Sequence, residues 1–271
     1  CLAVIAKERI SHSIMVPAMY NLCLLQPDFD AYDLSAFRCG GYGGAPMPEA
    51  TIATLAKKLP QLVLTNAYGS TETTSPTTIM PAGLGATHAD SVGQVVPCGD
   101  VRVMDDEGRE VPRGESGELW IGGPMVVPGY WNNPAATQAS FVAGYWRSGD
   151  IGSMDAEGFV RIHDRMKDMI NRGGYKVYSA EVENVMSHHP LVMESAVVPA
   201  PDPVLGEKVH AFVVRRDASL LADDLRSFCA THLSDYKVPD FFTLRDEPLP
   251  RNANGKILKR ELRDLALANP K

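Results

Sequence analysis

The segment NAYGSTETT combines side chains that could hold a nucleotide. Tyr68 offers an aromatic face for a base, and Gly69 lets the backbone approach a ligand closely. Ser70 and Thr71 offer hydroxyl donors to phosphate, and Glu72 offers a hard oxygen ligand for Mg²⁺. A Thr-Glu pair is also typical of a helix cap or a solvated turn, so this segment by itself leaves both interpretations open.

Three other segments contain residues that could take part in the same chemistry. The four glycines of CGGYGGAPMP allow a sharp turn or a close approach to a flat ligand. WRSGDIG places Asp150 just after a glycine, and a carboxylate can accept both hydroxyls of a ribose. NANGK has a turn-forming Asn-Gly followed at once by Lys256. Read singly, these segments fit a structural turn, an ordinary turn aspartate and a solvated lysine.

The elements around these segments predict where they lie. QLVLTNAY is short, apolar and β-branched, which predicts a strand buried on both faces of a mostly parallel sheet. Ligands bind at the carboxyl ends of strands in such sheets, where NAYGSTETT should emerge. PEATIATLAKKL predicts an amphipathic helix with one apolar face formed by Ile52, Leu55, Ala56 and Leu59. Residues 1–85 are therefore expected to be α/β.

The character of the chain changes twice after this region. Residues 92–160 contain VRVMDDEGREVP and GSMDAEGFVRIH, which predict hairpins, and GELWIGG, which predicts a further strand. They indicate a small antiparallel sheet or barrel. Beyond Arg165, alternating helix and strand patterns predict a compact α+β lobe, and the charged HDRMKDM is typical of an exposed connection. We therefore expect domains at 1–166 and 167–271.

Composition excludes several classes of function. The 26 basic and 33 acidic residues leave a net charge of −7, which disfavours nucleic acid as a partner. No apolar run reaches the roughly 18 residues of a membrane span, and the opening CLAVIAKERI lacks the flanks of a signal peptide. The five scattered cysteines predict reduced thiols, and we expect a cytoplasmic protein. Because the chain opens on Cys1 in what reads as the middle of a fold, we expect its natural start to be missing.

Taken together and in order, the motifs resemble the adenylate-forming superfamily of acyl-CoA ligases, peptide-synthetase adenylation domains and luciferases. The resemblance covers residues 39–262. Its motifs are YGSTE, GELWIGG with PGYWNNPAAT, RSGD, DRMKDMINRGGYKVYSAEVE and NANGK. It implies the end of a large N-terminal domain, an α/β sheet layer plus a small antiparallel β-barrel, followed by a small and mobile C-terminal α+β lobe.

The resemblance also implies a nucleotide site. The residues implied to bind ATP or AMP are Gly43, Gly44, Ala45, Pro46, Asn66, Ala67, Tyr68, Gly69, Ser70, Thr71, Asp150 and Arg165. Among them, Thr71 would hold the α-phosphate, while Asp150 and Arg165 would bind the ribose hydroxyls. Glu72 would hold Mg²⁺, and Lys256 would be the catalytic lysine.

Further residues match the part of the family's pattern that serves a second half-reaction. Lys167 would be the hinge between the lobes, and Gly173 and Gly174 would lie beside the channel for the thiol of CoA. The sequence departs from the pattern at three positions. Asp164 replaces a glycine, Ser148 replaces a common threonine, and Asn171 stands where many relatives have a lysine.

The function implied is ATP-dependent activation of a small-molecule carboxylic acid to an acyl-adenylate, followed by transfer to CoA, with ATP, Mg²⁺ and CoA required. One alternative is an adenylation domain that loads a carrier protein. Another is a nucleotide-binding fragment without activity, because nothing in the sequence supplies the family's phosphate loop. A fatty or other hydrophobic acid is the expected substrate, and a homodimer is compatible with the resemblance.

Overall fold

The computed structural model describes residues 1–45, 47–74, 76–85, 87–252 and 255–268. The chain forms two compact units, residues 1–162 and 163–271. Each unit has its own buried hydrophobic clusters. In the described residues, no helix combines the length and apolar composition needed to cross a membrane. All five cysteines are free.

The larger sheet has ten strands. They are β1 (His12–Met15), β2 (Cys39–Gly43), β3 (Val63–Gly69), β4 (Pro76–Ile79), β5 (Gly93–Val95), β6 (Asp100–Met104), β7 (Ser116–Gly122), β8 (Phe141–Val142), β9 (Tyr145–Met154) and β10 (Phe159–Arg165). The helices of this unit are α1 (Leu2–Lys7), α2 (Pro17–Leu24), α3 (Glu49–Lys58) and α4 (Pro134–Ser140), with short 3₁₀ helices at Phe29–Ala31 and Thr71–Thr73. The strand order is β1-β2-β3-β4-β5-β10-β9-β7-β6, and β8 pairs with β9.

The sheet joins the two regions that the sequence distinguished. β1, β2 and β3 pair in parallel, and β4 and the strands that follow pair antiparallel. The strands of the segment predicted as a small sheet or barrel therefore continue the parallel strands in a single sheet. Both predicted hairpins are confirmed, and their turns contain Gly108 and Gly158 at φ of +77° and +84°, values that favour glycine.

The glycine-rich segment differs from the loop that the sequence predicted. Its first five residues form β2, where Gly43 lies opposite Ala67 of β3. A Cβ at Gly43 would lie 2.3 Å from the carbonyl oxygen of Ala67. At Gly44, by contrast, φ is +77° and a Cβ would meet open space. The first glycine is thus required by strand packing and the second by backbone conformation.

We expect Gly43→Ala to lower the free energy of unfolding by about 1–3 kcal/mol, because the methyl group overpacks the contact between β2 and β3. Gly44→Ala is the matched control, since it introduces only the strain of a positive φ, about 1–2 kcal/mol. Urea denaturation of both variants measures the difference. A Gly43→Ala protein as stable as the wild type would contradict the close approach.

Helix α3 is confirmed, but its buried face differs by one position from the prediction. Leu55 and Leu59 are buried as expected, whereas Ala56 is exposed and Thr51 is 8% exposed. Residues 51, 55 and 59 form one i, i+4 row toward the core, and the Thr51 hydroxyl donates to Asn21 Oδ1 at 2.7 Å. Strand β3 is also less buried than predicted, since Val63 is 44% exposed.

The second unit has a five-stranded sheet. Its strands are β11 (Ile170–Arg172), β12 (Tyr175–Val177), β13 (Val192–Asp202), β14 (Gly206–Arg215) and β15 (Phe241–Arg245). Its helices are α5 (Ser179–Ser187), α6 (Ala222–His232) and α7 (Lys259–Ala268), with a 3₁₀ helix at Asp235–Lys237. The strand order is β12-β11-β14-β13, with β15 parallel to β14. The predicted α/β class with a following α+β unit is confirmed.

Candidate nucleotide site

A hydrogen bond joins two segments, NAYGSTETT and WRSGDIG, that are far apart in the sequence. The hydroxyl of Tyr68, near the carboxyl end of β3, donates to Asp150 Oδ2 on β9 at 2.7 Å. Asp150 is only 4% exposed. An aromatic side chain suited to a base therefore lies against a carboxylate suited to ribose hydroxyls, although 82 residues separate them in the chain.

The glycine-rich segment ends at the same edge of the sheet. β2 and β3 are parallel, and Gly43 at the end of β2 lies opposite Ala67, beside Tyr68. Gly44 and Ala45 follow as an exposed turn. Pro46, which the resemblance assigns to the same loop, lies outside the described residues. The carboxyl ends of two neighbouring strands thus place the two predicted base-binding segments side by side.

Asn66 and Gly69 complete this strand edge. Asn66 Nδ2 donates to the carbonyl oxygen of Ser91 at 3.4 Å, and the Asn66 carbonyl accepts from the Met80 amide at 2.8 Å. Gly69 is exposed and pairs with Pro76 at a register shift between β3 and β4. The backbone at this end of β3 is therefore held by a neighbouring loop and strand.

The turn after β3 contains the helix cap that the sequence left open as an alternative. The Ser70 amide donates to Thr73 Oγ1 at 3.0 Å, and that hydroxyl donates to the Ser70 carbonyl oxygen at 3.0 Å. Thr73 is fully buried, whereas Thr71 is exposed. The cap uses the backbone of Ser70 and the side chain of Thr73, and it leaves the Thr71 side chain exposed.

Glu72 accepts hydrogen bonds on both carboxylate oxygens. Ser70 Oγ donates to Oε2 at 2.7 Å, and the Tyr130 hydroxyl donates to Oε1 at 3.0 Å. A carboxylate that accepts hydrogen bonds can also coordinate a hard cation, since it offers about four lone-pair sites. No cluster of three or more His, Cys, Asp or Glu that could hold a metal occurs among the described residues. Glu72 fits Mg²⁺ of the kind that a nucleotide's phosphates and water also coordinate.

The RSGD segment of β9, which carries Asp150 at a register shift in the pairing with β7, is fixed by Glu118, a residue that the sequence did not single out. Glu118 Oε1 accepts from the Gly149 amide at 3.2 Å, and Glu118 Oε2 accepts from Trp120 Nε1 at 2.9 Å and from Arg147 Nε at 3.0 Å. Glu118 is 8% exposed within an otherwise apolar strand. That contrast in GELWIGG is the signal that could have identified it.

Ser148 retains the hydroxyl of the threonine that it replaces. Its Oγ donates to the Leu119 carbonyl oxygen at 2.7 Å and accepts from the Asp150 amide at 3.0 Å. Gly149 between them has φ of +68°, a conformation that favours glycine. These bonds hold the backbone of β9 on both sides of the glycine, so the serine keeps the hydrogen bonds of a hydroxyl at this position.

The second unit holds the remaining candidate residues. Arg165 ends β10 and is exposed, and Lys167 is exposed in the turn that follows. The Lys167 carbonyl oxygen accepts from Arg263 Nη2 at 2.5 Å, and Arg263 also pairs with Asp168. Helix α7 is thereby bound to the backbone of the residue that the resemblance assigns as a hinge.

Gly173 and Gly174 form the turn between β11 and β12, with φ of +60° and +92°. The Gly174 amide donates to Asn171 Oδ1 at 2.9 Å, and the Gly173 amide donates to the Leu205 carbonyl oxygen at 2.8 Å. The side-chain amide of Asn171, the third departure from the family pattern, therefore accepts a bond that shapes this turn.

Lys256 is exposed near the start of α7. Its amide donates to Asn252 Oδ1, and its carbonyl oxygen accepts from the Asn252 amide, both at 2.9 Å. Arg251 Nη1 donates to the Gly255 carbonyl oxygen at 2.6 Å, and Arg251 also pairs with Glu194 of β13. The backbone of the lysine-bearing turn is therefore fixed on the sheet by groups other than the lysine side chain.

Lys259, the first residue of α7, belongs to a network of charged groups in the second unit. Lys259 Nζ is 2.7 Å from both Ser179 Oγ and Glu183 Oε1. Asp164 accepts from the amides of Ser179 and Arg165 at 2.5 and 2.8 Å. Burial raises the pKa of the Asp164 and Glu183 carboxyls, and the charge of Lys259 opposes this shift. Asp164, noted only as a departure from glycine, therefore holds the start of α5.

Comparisons with known proteins agree with the sequence motifs. The AMP-binding enzyme family model matches residues 1–131, and the AMP-binding enzyme C-terminal domain model matches residues 181–256. A long-chain-fatty-acid–CoA ligase of Yersinia pestis is 43% identical over 249 residues, which are 92% of this chain and 44% of that protein. A fatty acid–[acyl-carrier-protein] ligase of Streptomyces coeruleorubidus is 38% identical over 263 residues, covering 94% and 50%.

A solved structure extends the agreement to the fold. The o-succinylbenzoate coenzyme A synthetase of Bacillus subtilis, in complex with ATP and magnesium ion, matches with a TM-score of 0.85 and 31% identity. The match covers 97% of this chain and 53% of that one, so the chain spans about half the length of the relatives it matches. Motif order, both family models and the fold lead to one conclusion: the chain belongs to the AMP-binding enzyme family.

Proposed function

We propose that the protein containing this chain is an ATP-dependent acid–thiol ligase that converts a carboxylic acid to an acyl-adenylate and then to a CoA thioester. The observation that carries the proposal is the hydrogen bond between Tyr68 and Asp150 beside the turn that bears Thr71 and Glu72. Together these groups offer a face for a base, an acceptor for ribose and ligands for phosphate. Similarity to CoA ligases in sequence and fold supports the assignment.

Within the first unit, the adenine ring is assigned to the face of Tyr68, next to the turn formed by Gly43, Gly44 and Ala45. The Asp150 carboxylate accepts the ribose hydroxyls, and the exposed Thr71 donates to the α-phosphate. These roles follow the donor and acceptor character of each group. The backbone of Asn66, Ala67, Gly69 and Ser70 forms the strand edge and turn along which the nucleotide lies.

The proposed first half-reaction brings two anions together. A carboxylate oxygen attacks the α-phosphorus, an oxygen–phosphorus bond forms, and pyrophosphate leaves with the electrons of the broken bond. Lys256 donates to the negative charge that concentrates in the transition state. Mg²⁺, when bound at Glu72, supplies further neutralisation of the phosphates.

The second half-reaction transfers the acyl group to sulfur. The thiol of CoA releases its proton to solvent as its sulfur attacks the acyl carbon. A carbon–sulfur bond forms, and AMP leaves with the electrons of the acyl–oxygen bond. Following the family resemblance, Arg165 is assigned a ribose contact, Lys167 the hinge, and Gly173 and Gly174 the path of the thiol. Both glycines have positive φ values, which favour glycine, and a turn made of glycines has no side chains to obstruct a thiol. These two properties support the last assignment.

A carrier protein is the alternative acceptor, and one observation favours it: a relative that is 38% identical is a fatty acid–[acyl-carrier-protein] ligase. A fatty acid is proposed as the acyl substrate on the names of this relative and of the Yersinia pestis enzyme. Incubating the intact protein with ATP, a labelled fatty acid and either CoA or a phosphopantetheinylated carrier protein decides between the acceptors. Thioester formed only with the carrier protein would replace CoA in the proposal.

Asp150→Ala tests the nucleotide site. We expect the affinity of the intact protein for AMP and ATP to fall by about 10- to 100-fold, the equivalent of one hydrogen bond to a charged group. Isothermal titration calorimetry measures the change. Asp223→Ala, which removes an exposed aspartate at the start of α6, is the control and should bind nucleotide normally. Unchanged affinity in Asp150→Ala would remove this residue from the site.

A further inference from the structure

A chain of hydrogen bonds runs from the core of the first unit to Glu72. Trp146, which is 5% exposed, donates from Nε1 to the Tyr130 hydroxyl oxygen at 3.3 Å. The Tyr130 hydroxyl lies 3.0 Å from Glu72 Oε1. Neither Tyr130 nor Trp146 has a part in the function proposed above. The hydrogen bonds between them nevertheless lead to Glu72, the residue proposed to bind the metal.

The direction of this chain is fixed by the chemistry of its two ends. An indole N–H can only donate, and an ionised carboxylate can only accept. The Tyr130 oxygen therefore accepts from Trp146, and its own proton must point at Glu72. With the direction reversed, the indole N–H would face a hydroxyl proton, and Glu72 Oε1 would face the hydroxyl oxygen instead of its proton.

Tyr130 is itself held by its surroundings. Its amide donates to Thr137 Oγ1 at 2.9 Å, which ties it to α4, and its ring meets Phe141 edge-on at 5.5 Å between centroids. At the preceding Gly129, where φ is +156°, a Cβ would lie 2.5 Å from Thr137 Cγ2. The backbone before the ring and the ring itself are thus fixed by separate contacts.

Fixing the tyrosine has a direct consequence for the carboxylate. The terminal torsion of a glutamate is broad, so its oxygens take many orientations unless other groups hold them. Here one oxygen of Glu72 is held by Ser70 at 2.7 Å and the other by Tyr130. The Glu72 carbonyl oxygen also accepts from the Val127 amide at 2.9 Å, in the segment that leads to Tyr130.

We infer that Tyr130, directed by Trp146, is a positioning residue that orients the Glu72 carboxylate toward the cation bound with the triphosphate. The inference rests on the proposed function, in which Glu72 is a Mg²⁺ ligand. It predicts that loss of the tyrosine hydroxyl weakens binding of metal-bound ATP and spares binding of AMP, which needs no metal. A purely structural role of Tyr130 would affect both nucleotides equally.

The test compares Tyr130→Phe with wild type in the intact protein, using isothermal titration calorimetry with ATP plus excess MgCl₂ and with AMP in EDTA. We expect the affinity for Mg·ATP to fall about fivefold, as for the loss of one hydrogen bond, and the affinity for AMP to stay within about twofold. Tyr145→Phe is the matched control, because its hydroxyl bonds the exposed Asp100 instead. It should change neither affinity.

Glu72→Gln separates failure of this inference from failure of the proposed function. If Glu72→Gln weakens Mg·ATP binding and Tyr130→Phe does not, the inference is wrong and the role of Glu72 stands. If Glu72→Gln leaves Mg·ATP binding unchanged, Glu72 is no metal ligand, and both this inference and the metal role proposed for Glu72 fall. Equal loss of Mg·ATP and AMP affinity in Tyr130→Phe would also overturn the inference. Support requires that Tyr130→Phe add no further loss in the Glu72→Gln background.

Discussion

Replacing Lys256 with alanine should slow acyl-adenylate formation by the intact protein by a factor on the order of 10² or more, the usual cost of removing one donor to transition-state charge. The variant should fold normally, because the turn is held by Asn252 and Arg251 and the Lys256 side chain is exposed. ATP–pyrophosphate exchange measures this half-reaction directly.

The same variant should form thioester from pre-made acyl-adenylate and CoA at nearly the wild-type rate, since Lys256 is assigned to the first half-reaction alone, in which a carboxylate must approach the anionic triphosphate. Lys57→Ala, which removes an exposed lysine of α3, serves as the control for a general loss of positive charge. Equal loss of both half-reactions in Lys256→Ala would contradict a role confined to adenylation. Unimpaired pyrophosphate exchange would remove Lys256 from catalysis altogether.

Replacing Lys259 with methionine should lower the free energy of unfolding by about 3 kcal/mol, at the low end of the range for breaking a buried ion pair because both partners keep some exposure. The Lys259 and Glu183 side chains are 18% and 23% exposed. Methionine fills a similar volume, so the loss comes from leaving Glu183 and Asp164 near each other without a cation. Urea denaturation monitored by circular dichroism measures it.

The loss of unfolding free energy caused by Lys259→Met should grow with pH. Burial already raises the folded-state pKa of Asp164 and Glu183, and removing Lys259 raises it further. A carboxyl whose pKa is raised by folding contributes stability below its unfolded pKa, near 4, and that contribution is lost as pH rises through the folded value. The difference from wild type should therefore be larger at pH 8 than at pH 4.

Arg260→Met is the control for Lys259→Met, because Arg260 is the next residue of α7 and is exposed. Its stability should follow that of the wild type at both pH values within about 0.5 kcal/mol. If the loss of unfolding free energy in Lys259→Met were independent of pH, lost packing, and not the two carboxyls, would explain the lower stability.

The sequence by itself determined much of the local structure and the family. Hairpins were predictable because Asp, Glu and Gly stand between apolar stretches, and α3 because its apolar residues recur with helical spacing. The family was predictable because five short motifs occur in a characteristic order. These signals lie within about a dozen neighbouring residues, and steric and solvation preferences act on them before any distant segment is in place.

The tertiary structure alone decided how the site is held together. Tyr68 meets Asp150 across 82 residues, and Tyr130 meets Glu72 across 58. Periodicity also misplaced Ala56 on the buried face of α3, since the sheet and α2 select the row that contains Thr51. No local preference specifies which distant hydroxyl will reach a given carboxylate. Strand order and register decide that, because they fix which side chains meet once the sheet has formed.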